Sequence, residues 1–326
     1  MTGVRDPILA VDPGLRGVVP LLPDFGTLDT ATLNDFRSLL RSEAVPDGVV
    51  GSITVENITV PGLAGDPDVP AVLYRPTLGN ATRAAILDIH GGGYVCGSAE
   101  RDHQALLDLA AMLDCVILSV NYRLAPEHPF PAPADDCLRG LEWLHGEAER
   151  LGIDRTRIAV RGASAGGGLA AGLCLRARSR PDLPIAFAVL IYPMLDDRTE
   201  GTPFAGHYVW PVKANRFGWA SYLGEHAANP PIDAVPGRAT DLTGFPPCFM
   251  AVGDIDLFAI EDLAFAQGLM AAGVPVELHV YPGAYHGFVL VTAAGVAQQF
   301  ERDCRAALAR ALVAPAPHSA QEGSTL

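Results

Sequence analysis

The chain of 326 residues is 49% hydrophobic, 7% aromatic and 18% charged, which suits one large α/β domain, or one domain plus a small accessory element, with no need of disulfides or metal to hold a core. That apolar fraction excludes disorder, and the lack of a repeat or sustained heptad excludes collagen and coiled coil. The formal net charge of −14, from 37 acidic against 23 Lys and Arg side chains, repels phosphate backbones and anionic lipid, so neither nucleic acid nor a membrane is an expected partner.

The N-terminal stretch MTGVRDPILAVDPG carries acids and prolines where a signal peptide needs an unbroken apolar run. The longest segment free of Asp, Glu, Lys and Arg, Leu278 to Phe300, is interrupted by Pro282, glycines and two histidines, a poor membrane span. Six scattered cysteines (96, 115, 137, 174, 248 and 304) form no CxxC pair. Cys115, Cys174 and Cys248 lie in apolar runs as small buried hydrophobes. These features lead us to expect a cytoplasmic protein with reduced thiols.

Along the chain, residues Thr27 to Ser42 carry Leu33, Phe36 and Leu40 at helical spacing, with Thr27, Asp29 or Thr30 available as a cap. Ser52 to Val60 alternates with period two, and Val69 to Tyr74 reads as a second short strand. Strands and helices then alternate. Strands are expected at Ala84–Ile89, Val116–Val120, Ile158–Val160, Ile185–Ile191, Phe249–Val252 and Val276–Tyr281. Helices are expected at Gln104–Leu113, from Ala134 to about Arg150, at Ala165–Arg178, near Glu261–Ala272, and around Ala307–Leu312. This rhythm predicts a mostly parallel sheet with helices on both faces. It breaks between Leu195 and Gly244, where Tyr208, Trp210, Phe217, Trp219 and Tyr222 sit among prolines and glycines, an insertion read as a lid. The tail at 314–326 is expected to be disordered.

The sharpest chemical signal is Gly162-Ala-Ser164-Ala-Gly166 between a strand and a helix. G-x-S-x-G in that setting is a nucleophile elbow: two glycines allow the tight turn, and the following helix aims its N-terminal amides at the reacting oxygen. The bland reading is a glycine-rich turn with a capping serine. Gly166 to Ala171 also matches G-x-G-x-x-A, but position 188, where a ribose-binding acid belongs, falls inside an apolar strand. His90-Gly-Gly-Gly93-Tyr94 follows another strand end. Consecutive glycines there leave backbone N–H groups unobstructed, as an oxyanion hole requires. A base and an acid should follow the serine in the order acid, then histidine. His286 lies in a loop after the last strand, His279 inside that strand and His318 in the tail. Either Asp254 or Asp256, just past a strand end, could orient an imidazole. The same D-x-D opens EF-hand loops, but Ala259 and Phe265 stand where Gly and Glu are needed. No HExxH or paired Cys/His spacing points to another metal.

Together, HGGGY, Gly162–Gly167, Tyr122-Arg-Leu-Ala-Pro-Glu127, Asp256 and the YHGF around His286 resemble the bacterial hormone-sensitive-lipase family of esterases, from about residue 50 to 312. Within that family, ATDLTGFPP and the overall length resemble the acetyl-ester-cleaving, heroin-esterase-like members. The resemblance implies an α/β-hydrolase fold of α/β class. Its core would comprise residues 51–194 and 245–313, with a cap built from residues 1–50 and the insertion 195–244. It implies Ser164 as nucleophile, His286 as base and Asp256 as acid, with the amides of Gly92, Gly93 and Ala165 as oxyanion donors. Phe265-Ala266 sits nine positions after Asp256, where the family places its aromatic-Ala pair. Two departures stand out: Ala163 replaces a frequent acid in the elbow, and Ile260 replaces an aspartate of the loop after Asp256. The expected activity is hydrolysis of short-chain carboxylic esters through an acyl-enzyme, without a cofactor. The competing class is a non-catalytic ligand-binding receptor of the same fold, as in plant gibberellin receptors, where the catalytic histidine is lost; here His286 is retained. Family members are often dimers, so a homodimer is an open expectation.

Overall fold

The structure is a computed structural model that describes residues 7–63, 65–77 and 82–312; the expected disordered tail lies outside the described residues. The chain opens with short helices α1 (Pro13–Arg16) and α2 (Leu33–Leu39) and strands β1 (Gly48–Val50), β2 (Ile53–Val60) and β3 (Val69–Pro76). Then come β4 (Arg83–Ile89), α3 (His103–Leu113), β5 (Val116–Val120), α4 (Ala132–Gly146), α5 (Ala148–Leu151) and β6 (Ile153–Ala163). After them lie α6 (Ala165–Ala177), β7 (Phe187–Ile191), α7 (Val212–Leu223), β8 (Cys248–Gly253), α8 (Ala259–Ala271), β9 (Val276–Tyr281) and α9 (Gly295–Leu312).

The strands form a nine-stranded sheet ordered β1-β2-β3-β5-β4-β6-β7-β8-β9. The first three strands pair antiparallel, as do β3 and β5, and every pairing from β5 to β9 is parallel. The expected parallel α/β architecture is therefore observed. Alternate residues of the apolar strands feed opposite layers. Leu87, Val160, Leu190 and Met250 enter one core, and Ile86, Ala159, Val189 and Phe249 the other.

Some element boundaries differ from the sequence expectation, for local reasons. The helix expected from Thr27 starts only at Leu33, because Asp29 Oδ1 accepts from the amides of Ala31 (2.9 Å) and Thr32 (3.1 Å) and holds that stretch as a turn. Strand β6 is longer than its apolar centre, starting at Ile153, which pairs with Arg83 across a polar stretch that carries no alternation signal. β1 escaped the sequence reading because all three of its residues are exposed. The helix expected to reach Arg150 is interrupted after Gly146 and resumes as α5, which ends on Gly152 in the left-handed conformation.

Candidate active site

Parallel register puts the chemistry at one end of the sheet. Ile89 pairs with Gly162, Ala163 with Ile191, Ile191 with Ala251, and Gly253 with Tyr281. The carboxyl ends of β4, β6, β7, β8 and β9 are thus level, which is where α/β sheets bind ligands. The HGGG turn leaves β4, Ser164 leaves β6, Asp256 follows β8 and His286 follows β9.

Ser164 is held at φ 57° and ψ −123°, a conformation that costs a non-glycine residue about 1–3 kcal/mol. Its neighbours fix it there. The Ser164 amide donates to Ile191 O at 2.9 Å, and its carbonyl accepts from Gly168 and Met194, each at 3.0 Å. A Cβ at Gly162 would lie 2.1 Å from Gly166 O, so the tight elbow admits no side chain at that position. The serine therefore stands at the N-terminus of α6, with Ala165 as the first helical residue.

Ser164 Oγ lies 2.9 Å from His286 Nε2, and His286 Nδ1 lies 2.9 Å from Asp256 Oδ2. All three residues are buried. A carboxylate only accepts, so Nδ1 carries the imidazole proton and Nε2 is left to accept from the serine hydroxyl. The Phe258 amide donates to Asp256 Oδ1 at 3.0 Å, and the imidazole meets the edges of Tyr192 and Phe258 at centroid distances of 4.8 and 5.1 Å. An imidazole locked this way can take a proton from a hydroxyl and return it to a leaving group. The rival His279 faces Glu277 (2.9 Å) and Asp303 (3.4 Å) away from the serine.

The HGGG turn is braced by its own histidine. His90 is buried and stacks on Tyr122 at 4.2 Å, and the Tyr122 hydroxyl donates to His90 O at 3.0 Å. Burial pushes the imidazole down to about 4, so it is neutral, and its Nδ1–H donates to Gly91 O at 2.9 Å. Gly93 has φ +60°, and a Cβ there would stand 2.0 Å from Trp210 Cη2. The indole of the insertion therefore lies directly on the turn.

A cleft enclosing about 720 Å3, partly open to solvent, reaches Ser164 and His286 and is walled by Gly91 to Gly93, Phe25, Leu40, Tyr192, Trp210 and Leu290. Residues of the N-terminal segment and of the insertion thus meet above the sheet end. Phe25 stacks on Phe36 at 5.0 Å and tilts against Trp210 at 5.8 Å. The two departures from the family pattern prove mild in place. Ala163 lines the cleft, and Ile260 is 66% exposed. Glu261 beside it carries the loop bonding instead, accepting from the amides of Leu195 (2.7 Å) and Asp196 (3.3 Å) and from the Thr199 hydroxyl. Sequence reasoning passed over Glu261, Arg101, Asp102 and Arg161, the last three of which also line the cleft. No motif marks them, and only strand register and the start of α3 bring them to this wall.

A family model described as the alpha/beta hydrolase fold matches residues 86–290. The curated esterase LipI of Mycobacterium tuberculosis is 34% identical over 291 residues, 86% of this chain and 88% of its own length. This chain is an α/β-hydrolase of the hormone-sensitive-lipase family of esterases. The ethyl acetate hydrolase of Pseudomonas putida is 34% identical over 68% of this chain and 71% of its own. Among solved structures, a bacterial heroin esterase superposes with a TM-score of 0.86 at 38% identity, covering 95% of this chain and all of the other. The esterase LipW of Mycobacterium marinum follows at 0.82 and 33%, covering 93% of this α/β-hydrolase and 96% of LipW. The enzyme is a carboxylesterase. Among the described residues, no helix is long and apolar enough to cross a membrane.

Proposed function

We propose that this carboxylesterase cleaves short-chain acyl esters through an acyl-enzyme formed on Ser164. The observation that carries the reading is the relay Ser164 Oγ–His286 Nε2 and His286 Nδ1–Asp256 Oδ2, both links at 2.9 Å. In this scheme His286 takes the hydroxyl proton as Ser164 attacks the ester carbonyl, and Asp256 stabilises the imidazolium. The amides of Gly92, Gly93 and Ala165 receive the oxyanion. His286 then protonates the departing alkoxide, and water, deprotonated by the same imidazole, releases the acid and restores Ser164.

Short chains are supported by the confined cleft, walled by Phe25, Leu40 and Trp210. The same walls support a cap drawn from the N-terminal segment and the insertion. The likeness to an enzyme named as an ethyl acetate hydrolase points the same way. A purely receptor-like role is disfavoured by the imidazole being in place and correctly oriented. Six free, buried cysteines support a reducing, cytoplasmic setting. The test is initial-rate hydrolysis of p-nitrophenyl esters from acetyl to dodecanoyl, with Ser164→Ala as control. Equal rates in the variant and the parent would overturn the assignment.

A further inference from the structure

We propose that Arg101 anchors a carboxylate carried by the substrate, so that the preferred esters are those of short chain bearing a negative charge. The inference rests on the esterase reading above and extends it to substrate class.

Arg101 lines the same cleft as Ser164, Gly92 and His286. It precedes α3, whose first residue is His103, and its backbone amide is tied to Ser98 O at 3.2 Å. Its guanidinium has no hydrogen-bond or ion-pair partner among the described residues, although the chain holds 37 acidic side chains. Several other arginines lean on carboxylates: Arg37 on Glu127, Arg123 on Asp136, Arg176 on Asp135 and Arg238 on Asp197, each at 2.7 Å. A cation left without an anion in a half-buried wall is a cost unless a ligand answers it.

The other cation of this wall is already answered. Arg161 sits opposite Asp88 in the register of β6 and β4 and is ion-paired with it. Asp102 is the N-cap residue of α3, where the helix dipole favours a negative charge although its side chain makes no capping hydrogen bond, and its charge acts on Arg161. The charge of Arg101 acts on His90, Cys96, Tyr122 and Tyr192 around the glycine turn, and that of Asp102 also reaches His90 and Tyr192. The free cation shares one cleft with the glycine turn and Ser164. Around it Phe25, Leu40, Trp210 and Leu290 make the cleft apolar, which strengthens a charge pair by lowering the local dielectric. Five N–H donors in a planar fork match a carboxylate in a two-point contact. Such a substrate is a hemiester of a short dicarboxylic acid, or an acyl ester of a hydroxy acid.

Two matched pairs place the charge on either side of the scissile bond. Mono-p-nitrophenyl glutarate is compared with p-nitrophenyl pentanoate, and O-acetylglycolate with its methyl ester, for the parent, Arg101→Gln and Arg101→Lys. We expect the charged-to-neutral ratio of kcat/KM in at least one pair to fall about tenfold or more in Arg101→Gln. Arg101→Lys should keep part of it, and molar salt should shrink the parent's ratio. Should Arg101→Gln fail to fold, free glutarate is tested as a competitive inhibitor of acetyl-ester hydrolysis by the parent at low and high salt. Salt-sensitive inhibition supports the proposal, and none overturns it. Ratios equal in parent and Arg101→Gln for both pairs overturn it as well. Inactivity of the parent on all four esters would sink the esterase reading instead.

Discussion

Asp254 and Asp256 leave the end of the same strand toward different partners. Asp254 Oδ1 accepts from the Gly283 amide at 2.7 Å, and Asp256 Oδ2 holds His286 Nδ1 at 2.9 Å. Asp254 is exposed and Asp256 is 1% exposed. Asp256→Asn should therefore lower kcat by on the order of 10⁴, since the amide cannot hold the required tautomer. Asp254→Asn, which perturbs only the loop tie, should cost less than about tenfold, or under about 1.4 kcal/mol. Both are measured on one acetyl ester at one pH, with circular dichroism for folding. The opposite ranking would show that the imidazole takes its partner from Asp254.

Ser164→Ala should lose on the order of 10⁴ to 10⁶ in kcat while the fold persists. Among the described residues the hydroxyl's single partner is His286, so its removal leaves no unpaired core group there other than an imidazole nitrogen facing the cleft. Retention of a tenth of the parent rate on a short ester would mean that the nucleophile is elsewhere.

Turnover should peak at acyl chains of about two to six carbons and then drop, because the gain of about 0.8 kcal/mol per buried CH₂ ends when the pocket is full. A maximum on dodecanoyl esters or emulsified triglyceride would mean that long chains pass the walls at Phe25, Leu40 and Trp210.

Gly93→Ala should be far more damaging than its size suggests. The new methyl group would meet the Trp210 ring at 2.0 Å in a backbone conformation with φ +60°. With this amide receiving the oxyanion, as proposed above, its displacement should cost about 10²–10³ in kcat. Adding Trp210→Leu should relieve the contact and recover stability, measured as Tm, more than it recovers rate.

Stability should fall as the pH rises through neutrality. Burial raises the Asp262 carboxyl well above its ordinary range and pushes Glu261 up to about 8. Asp262 is fully buried, and neither of its carboxyl oxygens has a hydrogen-bond partner among the described residues. Glu261 and Asp256 are the carboxylates that act on it. Raised values in the folded state mean that it keeps protons the unfolded chain releases above about pH 4. The stabilisation is therefore complete below that unfolded value and is lost as pH climbs toward the folded one. Asp262→Asn removes one of the two contributions, so its Tm advantage over the parent should be larger near pH 8 than near pH 5. A gap that stays constant or narrows with pH would show that Asp262 is ionised in the folded protein.

Local chemistry alone determined much of this protein. Apolar runs bounded by turns specified a parallel sheet, and Gly162, Ser164 and Gly166 between β6 and α6 specified an elbow, because only small residues allow that turn. The glycines after His90 specified open amides for the same reason. Residue order further narrowed the base to a histidine after the last strand. The sequence left Asp254 and Asp256 open, and only the resemblance favoured the second. Tertiary structure decided what depends on distance through space. It brings Ser164 within 2.9 Å of a histidine 122 positions away, by levelling the ends of five parallel strands. It sets Phe25, Leu40 and Trp210, from segments far apart in the chain, around one cleft. It also leaves Arg101 in that wall without an ion-pair partner among the described residues. No motif encodes such neighbours, because packing and long-range charge depend on which elements meet, while propensity and turn chemistry act over a few residues.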